Sequence, residues 1–485
     1  MAFVRLEPCD VKVSSTVLKG LGTGNRPWLL SNAEFHSQQH ARHVSRSVDQ
    51  IEAVDFFNLL TGPELLAMTD SLLPEHRERL YPPTLALSMF MGQVLSEDGS
   101  CQKAVGSWAA QRAAEGLSVR SVNTGAYCKA RQRLPLEMVS TLTRYMAQQL
   151  TARAQDRWRW RGRNVKLVDG TGILMPDTAA NQARYPQLSS QAIGVGSPLA
   201  RLVAVICLST GALIDAAMGP FTGKGTSELG LLRQLEAAFC PGDVMLADAF
   251  YCNYFLIAAM QAAGVDVVFA QNGARITDFR CGERLGPRDH RVRWPTPKAR
   301  PEWMSPEDYA ALPEELILRE VKVGKKILVT TFLSPRHVSK AALGELFRLR
   351  WHVELDLRAI KTTLQMAELS CNTPQMNEKE LWVHFLAYNL IRLLMAQAAT
   401  KAAVHPRTLS FKHTVQLWSE WIARGLCHRT STSIALMFTL IGQLRVGKRS
   451  GRIEPRARKR RPKPYPWLKI PRPQARLLIA AHGHA

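Results

Sequence analysis

The sequence has no run of eighteen or more apolar residues, so no stretch of it reads as a membrane span. Its first residues, Met1 to Pro8, lack the basic start and apolar core of a signal peptide. Nine cysteines are scattered from Cys9 to Cys427, with no C-x-x-C pair and no Cys/His cluster at zinc spacing. An odd, dispersed set of this kind fits buried thiols in a reducing cytoplasm. There is no internal repeat. Negative charge is also scarce: 40 Asp and Glu stand against 63 Lys and Arg.

That imbalance gives a net charge of +23 and a pI near 10. It suits a polyanionic partner, nucleic acid first and an anionic membrane surface second. At 485 residues the chain is too long for one compact core, and two to four domains are expected. A hydrophobic content of 46% supports folded domains over disorder.

Residues 1–45 have little pattern. From Val48 to Gln149 the apolar spacing is helical, over Ile51–Leu60, Thr61–Leu72, Pro83–Ser96 and Leu134–Leu150. Lys129, Arg131 and Arg133 precede Pro135. Two readings stand for that segment: a helix-turn-helix-like DNA-reading unit, or a basic helix on an ordinary surface. Beyond Arg157-Trp-Arg-Trp-Arg161, short β-rich runs alternate with helices. Strands are expected over 164–174, 199–208, 211–218, 242–248 and 265–270, with helices over 226–238 and 253–263. Residues 271–318, rich in Arg, Pro and Trp, interrupt the rhythm as a functional or mobile insertion. Two strands follow over 319–333, then a long helix over 339–366. Helices at 379–403, 411–424 and 434–444 precede a tail, 445–476, dense in Arg, Lys and Pro. That tail reads as a disordered arm adding salt-sensitive phosphate affinity, with a merely solubilising tail as the alternative.

The long helix carries the most informative spacing. At about 100° per residue, Phe347, Arg350, Glu354 and Lys361 fall within roughly 60° of one another. Alone, such a quartet is a solvated charged face. Two further acids change its meaning. Asp169 lies inside an apolar strand, and Asp248 ends another. Three carboxylates make an oxygen-only site suited to magnesium, with manganese as a substitute. Two such ions about 4 Å apart serve phosphodiester chemistry. Asp177, Asp215 and Asp243 are read as structural.

The chain resembles the bacterial insertion-sequence transposases of the acid-triad (DDE) class, in the insertion-sequence-four family. Phe347, Arg350, Glu354 and Lys361 match its Tyr-x2-Arg-x3-Glu-x6-Lys spacing, and Trp351 follows the arginine. Asp169-Gly-Thr171, Ala247-Asp248-Ala-Phe-Tyr251 and Tyr388-Asn-Leu-Ile-Arg392 are similar to its other motifs. The resemblance covers residues 50–445. It implies an α/β protein: an RNase H-like catalytic core with a β-rich insertion, flanked by helical N- and C-terminal regions. The divisions become 1–155 (helical, DNA-binding), 156–270 (first part of the core), 271–318 (insertion), 319–370 (second part, with the glutamate helix), 371–445 (helical) and 446–485 (basic tail).

It further implies cut-and-paste transposition by two-metal hydrolysis and strand transfer, through a hairpin. A nuclease without strand transfer, or a non-catalytic DNA-binding descendant, are the alternatives. Asp169, Asp248 and Glu354 would be catalytic and hold the two Mg2+ ions, or Mn2+ in their place. Arg350 and Lys361 would grip phosphates, Trp351 would press on a displaced base, and Phe347 would stack. Trp294, with Arg291 and Arg293 before it, is favoured over Trp303 as the stacking ring of the insertion. The implied partners are double-stranded DNA, as terminal inverted repeats and target, and a second copy in a synaptic complex. No membrane is implied, and the setting would be the bacterial cytoplasm, at the nucleoid. Two departures stand out: Phe347 replaces the family tyrosine, and Ala249-Phe250 follows the second acid where a basic and then a small residue are usual.

Overall fold

Among the described residues, nine strands join into one sheet. The computed structural model describes residues 71–72, 80–114, 116–118, 121–424, 431–447 and 469–482. The expected helix at 51–60, nearly all of that at 61–72, and most of the basic tail lie outside them.

The strands are β1 (Val165–Leu174), β2 (Leu199–Cys207), β3 (Leu213–Pro220), β4 (Val244–Ala247), β5 (Asp266–Ala270), β6 (Glu283–Gly286), β7 (Asp289–Pro295), β8 (Glu315–Val323) and β9 (Lys326–Thr330). The chain meanders antiparallel through β1, β2 and β3, and β4 and β5 then add parallel to β1. The four remaining strands continue the sheet antiparallel. The insertion, irregular in sequence and expected to be β-rich, does carry strands and continues the sheet. Much of it is β6, β7 and the start of β8, which lengthen one edge.

Side chains alternate across this sheet, as strand geometry demands. Val165, Leu167, Val244 and Leu246 face one core, while Val168, Met245 and Ala247 face the other. The first core is closed by helices: α1 (Pro83–Leu95), α2 (Cys101–Ala114), α3 (Gly125–Arg133) and α4 (Leu136–Ala152) before the sheet, and several after it. Between β3 and β4 the second core receives a short helix, α5 (Glu228–Leu232), followed by a 3-10 turn. A longer helix, α6 (Tyr254–Ala262), follows β4. The helix expected over 226–238 is thus split in two.

After β9 the chain forms α7 (Lys340–Leu349) and α8 (His352–Arg358), then a π turn at Ala359–Thr363. One continuous helix was expected over this stretch. At the junction Arg350 N–H bonds to Phe347 O at 3.2 Å and Val353 N–H to Arg350 O at 3.1 Å. These three-residue bonds tighten the helix where neither Gly nor Pro marks a break. Next comes α9 (Pro374–Lys401), capped by the Thr373 side chain and opened by proline. It is buried on nearly every side, as a helix apolar all round must be. The helices α10 (Phe411–Ala423), α11 (Ser431–Gln443) and α12 (Arg472–His482) follow. The last overlaps the end of the segment expected to be disordered. No helix among the described residues is long and apolar enough to cross a membrane.

Two basic or polar residues in the helical layers are structural. Arg131 of α3, a candidate for DNA reading, is buried with its guanidinium 3.8 Å from the Phe90 ring centroid and bonded to the Cys101 and Cys371 thiols. His384 of α9 is buried, and its Nδ1 has no hydrogen-bond partner among the described residues. Burial pushes its pKa down to about 4, against a slight pull upward from Glu380. The folded state therefore binds this proton less readily than the unfolded chain. Stability should fall as pH drops from about 6.5 towards 4, by about 1.4 kcal/mol per pH unit from this group. Urea unfolding midpoints at pH 7, 6 and 5 check this, since His384→Leu should flatten the slope with little cost at pH 7.

Candidate active site

The site begins with register. Leu167 of β1 pairs with Leu246 of parallel β4. Two residues further on, Asp169 and Asp248 occupy equivalent places on neighbouring central strands. Alternation turns both towards the face that carries Leu167 and Leu246. Asp248 stands just past its strand, where its carboxylate accepts from the Phe250 N–H at 2.8 Å and opens a 3-10 turn. Asp169 accepts from the Gly170 N–H at 2.9 Å.

The α8 helix packs on β1 from that same face. It carries Glu354, whose Oε1 accepts from the Arg350 guanidinium at 2.7 Å. Arg350 is largely buried, Glu354 about half-buried. The charge of Arg350 also reaches Asp169, so this one guanidinium connects the first acid to the third. Burial pushes the Asp169 pKa up to about 6. The Gly170 N–H and Arg350 oppose that rise, while Asp248 and Glu228 add to it. The structure thus brings Asp169, Asp248 and Arg350 near one another, and Arg350 in turn holds Glu354. Among the described residues, no three acidic, histidine or cysteine side chains already stand close enough to grip an ion.

Lys361 lies in the π turn. Its Nζ donates to Thr171 Oγ1 at 3.0 Å and to the Gly172 carbonyl at 2.9 Å, and burial lowers its pKa. The turn is fixed to the end of β1, where Leu174 N–H bonds to Ala367 O and Leu369 N–H to Leu174 O. A π turn widens the helix by one residue and re-aims its side chains, which is why such turns recur at functional sites.

The ring residues divide differently from expectation. Trp351 is 56% exposed at the junction of α7 and α8. Phe347 is partly buried against the core, with the Lys326 ammonium 5.0 Å from its ring centroid. Phe250, beside Asp248, is exposed. Trp294 is only 6% exposed, so the expectation of a stacking ring there is corrected. Its Nε1 donates to Glu320 at 3.0 Å, and the Arg275 guanidinium covers its ring at 3.9 Å. Trp303 is the exposed tryptophan of the segment, at 48%. Glu320, unnoticed in the sequence, is the buried hub that ties this segment to β8. Burial alone would raise its pKa, but bonds from Thr277, Arg275, His290 and Trp294 hold it below the usual range.

Two other features escaped the sequence. Asp356, two residues past Glu354, is buried between Arg392 and Arg407. Glu228, on the first turn of α5, accepts from the buried Tyr251 hydroxyl at 3.0 Å.

Residues 160–390 match the family described as the transposase DDE domain. The chain is 29% identical over 359 residues to the transposase InsG for insertion sequence element IS4 of Escherichia coli (strain K12). The match covers 71% of this chain and 78% of that one. Among solved structures it is similar to the piggyBac transposase in a cryo-EM structure of its synaptic complex with hairpin DNA. There the TM-score is 0.39 at 9% identity, over 82% of this chain and 86% of the other.

Proposed function

The chain belongs to the DDE transposases, in the IS4 family of bacterial insertion sequences, and we propose that Asp169, Asp248 and Glu354 are the acids with which it cuts and joins DNA ends. The observation that carries this reading is their placement. Asp169 stands in β1 and Asp248 at the matching register just past β4, and the junction before α8 sets Arg350 between Asp169 and Glu354. The order β3-β2-β1-β4-β5, antiparallel then parallel, supports an RNase H-like core.

The donor set fits magnesium: carboxylates only, with no thiol or imidazole among them. Arg350 stands where positive charge is needed, between Asp169 and Glu354. Two magnesium ions bound here would activate an attacking oxygen and stabilise a leaving one. Arg350, bonded here to Glu354, has the planar fork suited to holding a phosphate, and would be free to do so where Glu354 serves as a metal ligand. Lys361 flanks the acids from the end of β1 and supplies a second phosphate contact. Trp351, exposed at the helix junction, is placed to fill the gap left by a displaced base. In the insertion that stacking role passes from Trp294 to Trp303. Phe347 has no hydroxyl for a phosphate, so any hairpin step proceeds without that bond.

The substrates are the element's terminal inverted repeats and a target duplex, held by two copies in a synaptic complex. Incubating the full chain with linear end DNA and magnesium should give both nicked and joined products. Cleavage with no joined product would reduce the reading to hydrolysis alone. Lys361→Ala should retain the first nick at near wild-type rate and slow the later steps by about 10- to 100-fold. A wild-type product distribution on a sequencing gel would refute that role.

A further inference from the structure

β1 carries glycine at 170, directly after the first acid, and alternation turns this position towards α5, away from the face of Asp169. The space a side chain would fill is taken. A Cβ on Gly170 would lie 2.3 Å from the carboxyl carbon of Glu228 and 2.5 Å from its Oε1. Glu228 is a half-buried acid on the first turn of α5, whose helix is started by the Ser227 side chain accepting from Gly230 N–H. Its other oxygen is held by the hydroxyl of Tyr251 at 3.0 Å. Tyr251 is fully buried and comes from the 3-10 turn that Asp248 opens. So one carboxylate is seated against the backbone beside the first acid and tied to the turn of the second.

We infer that Glu228 is a positioning residue of this centre: a fourth carboxylate, seated by Tyr251 in the gap that Gly170 leaves in β1, whose charge adds to the hold on divalent cations. The inference rests on the acid-triad reading above. The glycine is the physical requirement. Any Cβ there pushes the carboxylate away, and Glu228 is the flexible partner that must yield. The Tyr251 hydroxyl seats the carboxylate with one donated hydrogen bond and brings no positive charge to offset it. Glu228 bonds neither aspartate and acts on Asp169 through its charge alone; outer groups around a metal site are typically worth about 10- to 100-fold in metal affinity.

The test measures Mn2+ binding by the full chain, from the free-ion electron paramagnetic resonance signal, without DNA or turnover. Glu228→Gln keeps the shape of the side chain and an oxygen for Tyr251, so a merely structural role would leave affinity unchanged. We expect about tenfold weaker Mn2+ binding, and a matching rise in the Mg2+ needed for half-maximal end cleavage. Gly170→Ala, which displaces the carboxylate while keeping Glu228, should weaken binding in the same direction, with thermal unfolding confirming a folded chain. Asp169→Asn is the reference. Wild-type affinity in Glu228→Gln alongside weakened binding in Asp169→Asn overturns the role of Glu228 alone. Wild-type affinity in both variants overturns the acid-triad reading as well.

Discussion

Asp169→Asn, Asp248→Asn and Glu354→Gln should each lower magnesium-dependent end cleavage by about 10³-fold or more, with DNA affinity kept within about threefold. The amides preserve volume and most hydrogen bonds, so what they remove is charge. At Asp169, with Asp248 across the strand boundary and Arg350 above it, that charge is what a dication would bind. Groups that act as one unit lose nearly everything when one is removed, and further removals add little. The Asp169→Asn/Asp248→Asn double variant should therefore cleave no more slowly than the worse single one. DNA affinity comes largely from a basic surface spread over a chain of net charge +23, so losing one acid does not weaken it. Single-turnover cleavage of a labelled end and gel-shift titration check the two halves. Any one variant that still cuts normally with magnesium would remove that residue from the site.

The proposed centre rests on residues that stand out where chemistry and periodicity agree. An acid inside an apolar strand, or at its end, conflicts with burial and so marks itself. That conflict singles out Asp169 and Asp248 as candidates, and the spacing of Arg350, Glu354 and Lys361 singles out the helical stretch that carries them. The break at Arg350–Trp351 and the π turn around Lys361 were not legible, because no Gly or Pro produces them. They follow from packing α8 on β1 and anchoring residue 369 to Leu174. Trp294 was misjudged for a reason the sequence did contain. In a strand, neighbours face opposite sides, so Arg293 pointing outward turns Trp294 inward. Glu228 gave no signal of its own. It reads as one more charge at the start of an amphipathic helix, and only the fold reveals the glycine gap that it fills.

Asp356→Ala should cost about 3–5 kcal/mol of folding stability, the usual penalty for leaving a buried charge without its partner. Its carboxylate is fully enclosed and receives Arg392 on one oxygen and Arg407 on the other. Neither arginine can follow the lost charge into water. Arg392 is buried in α9, where its Nε donates to the Tyr388 hydroxyl at 2.8 Å. Arg407 is held by the carbonyls of Leu208 and Cys207, both at 2.8 Å. Two guanidiniums would remain in the core with only neutral acceptors. The Tyr388–Arg392 motif thus clamps α8 to the helical layer through Asp356. Against a total stability of about 5–15 kcal/mol, the loss is a large fraction of the whole. The urea midpoint should fall sharply in Asp356→Ala, and less in Asp356→Asn, which keeps one carbonyl acceptor. If the clamp also aims Glu354, cleavage by folded Asp356→Asn should fall more than its stability alone predicts. Equal stability in Asp356→Ala and the wild type would mean that the buried pair contributes nothing to holding the acid helix.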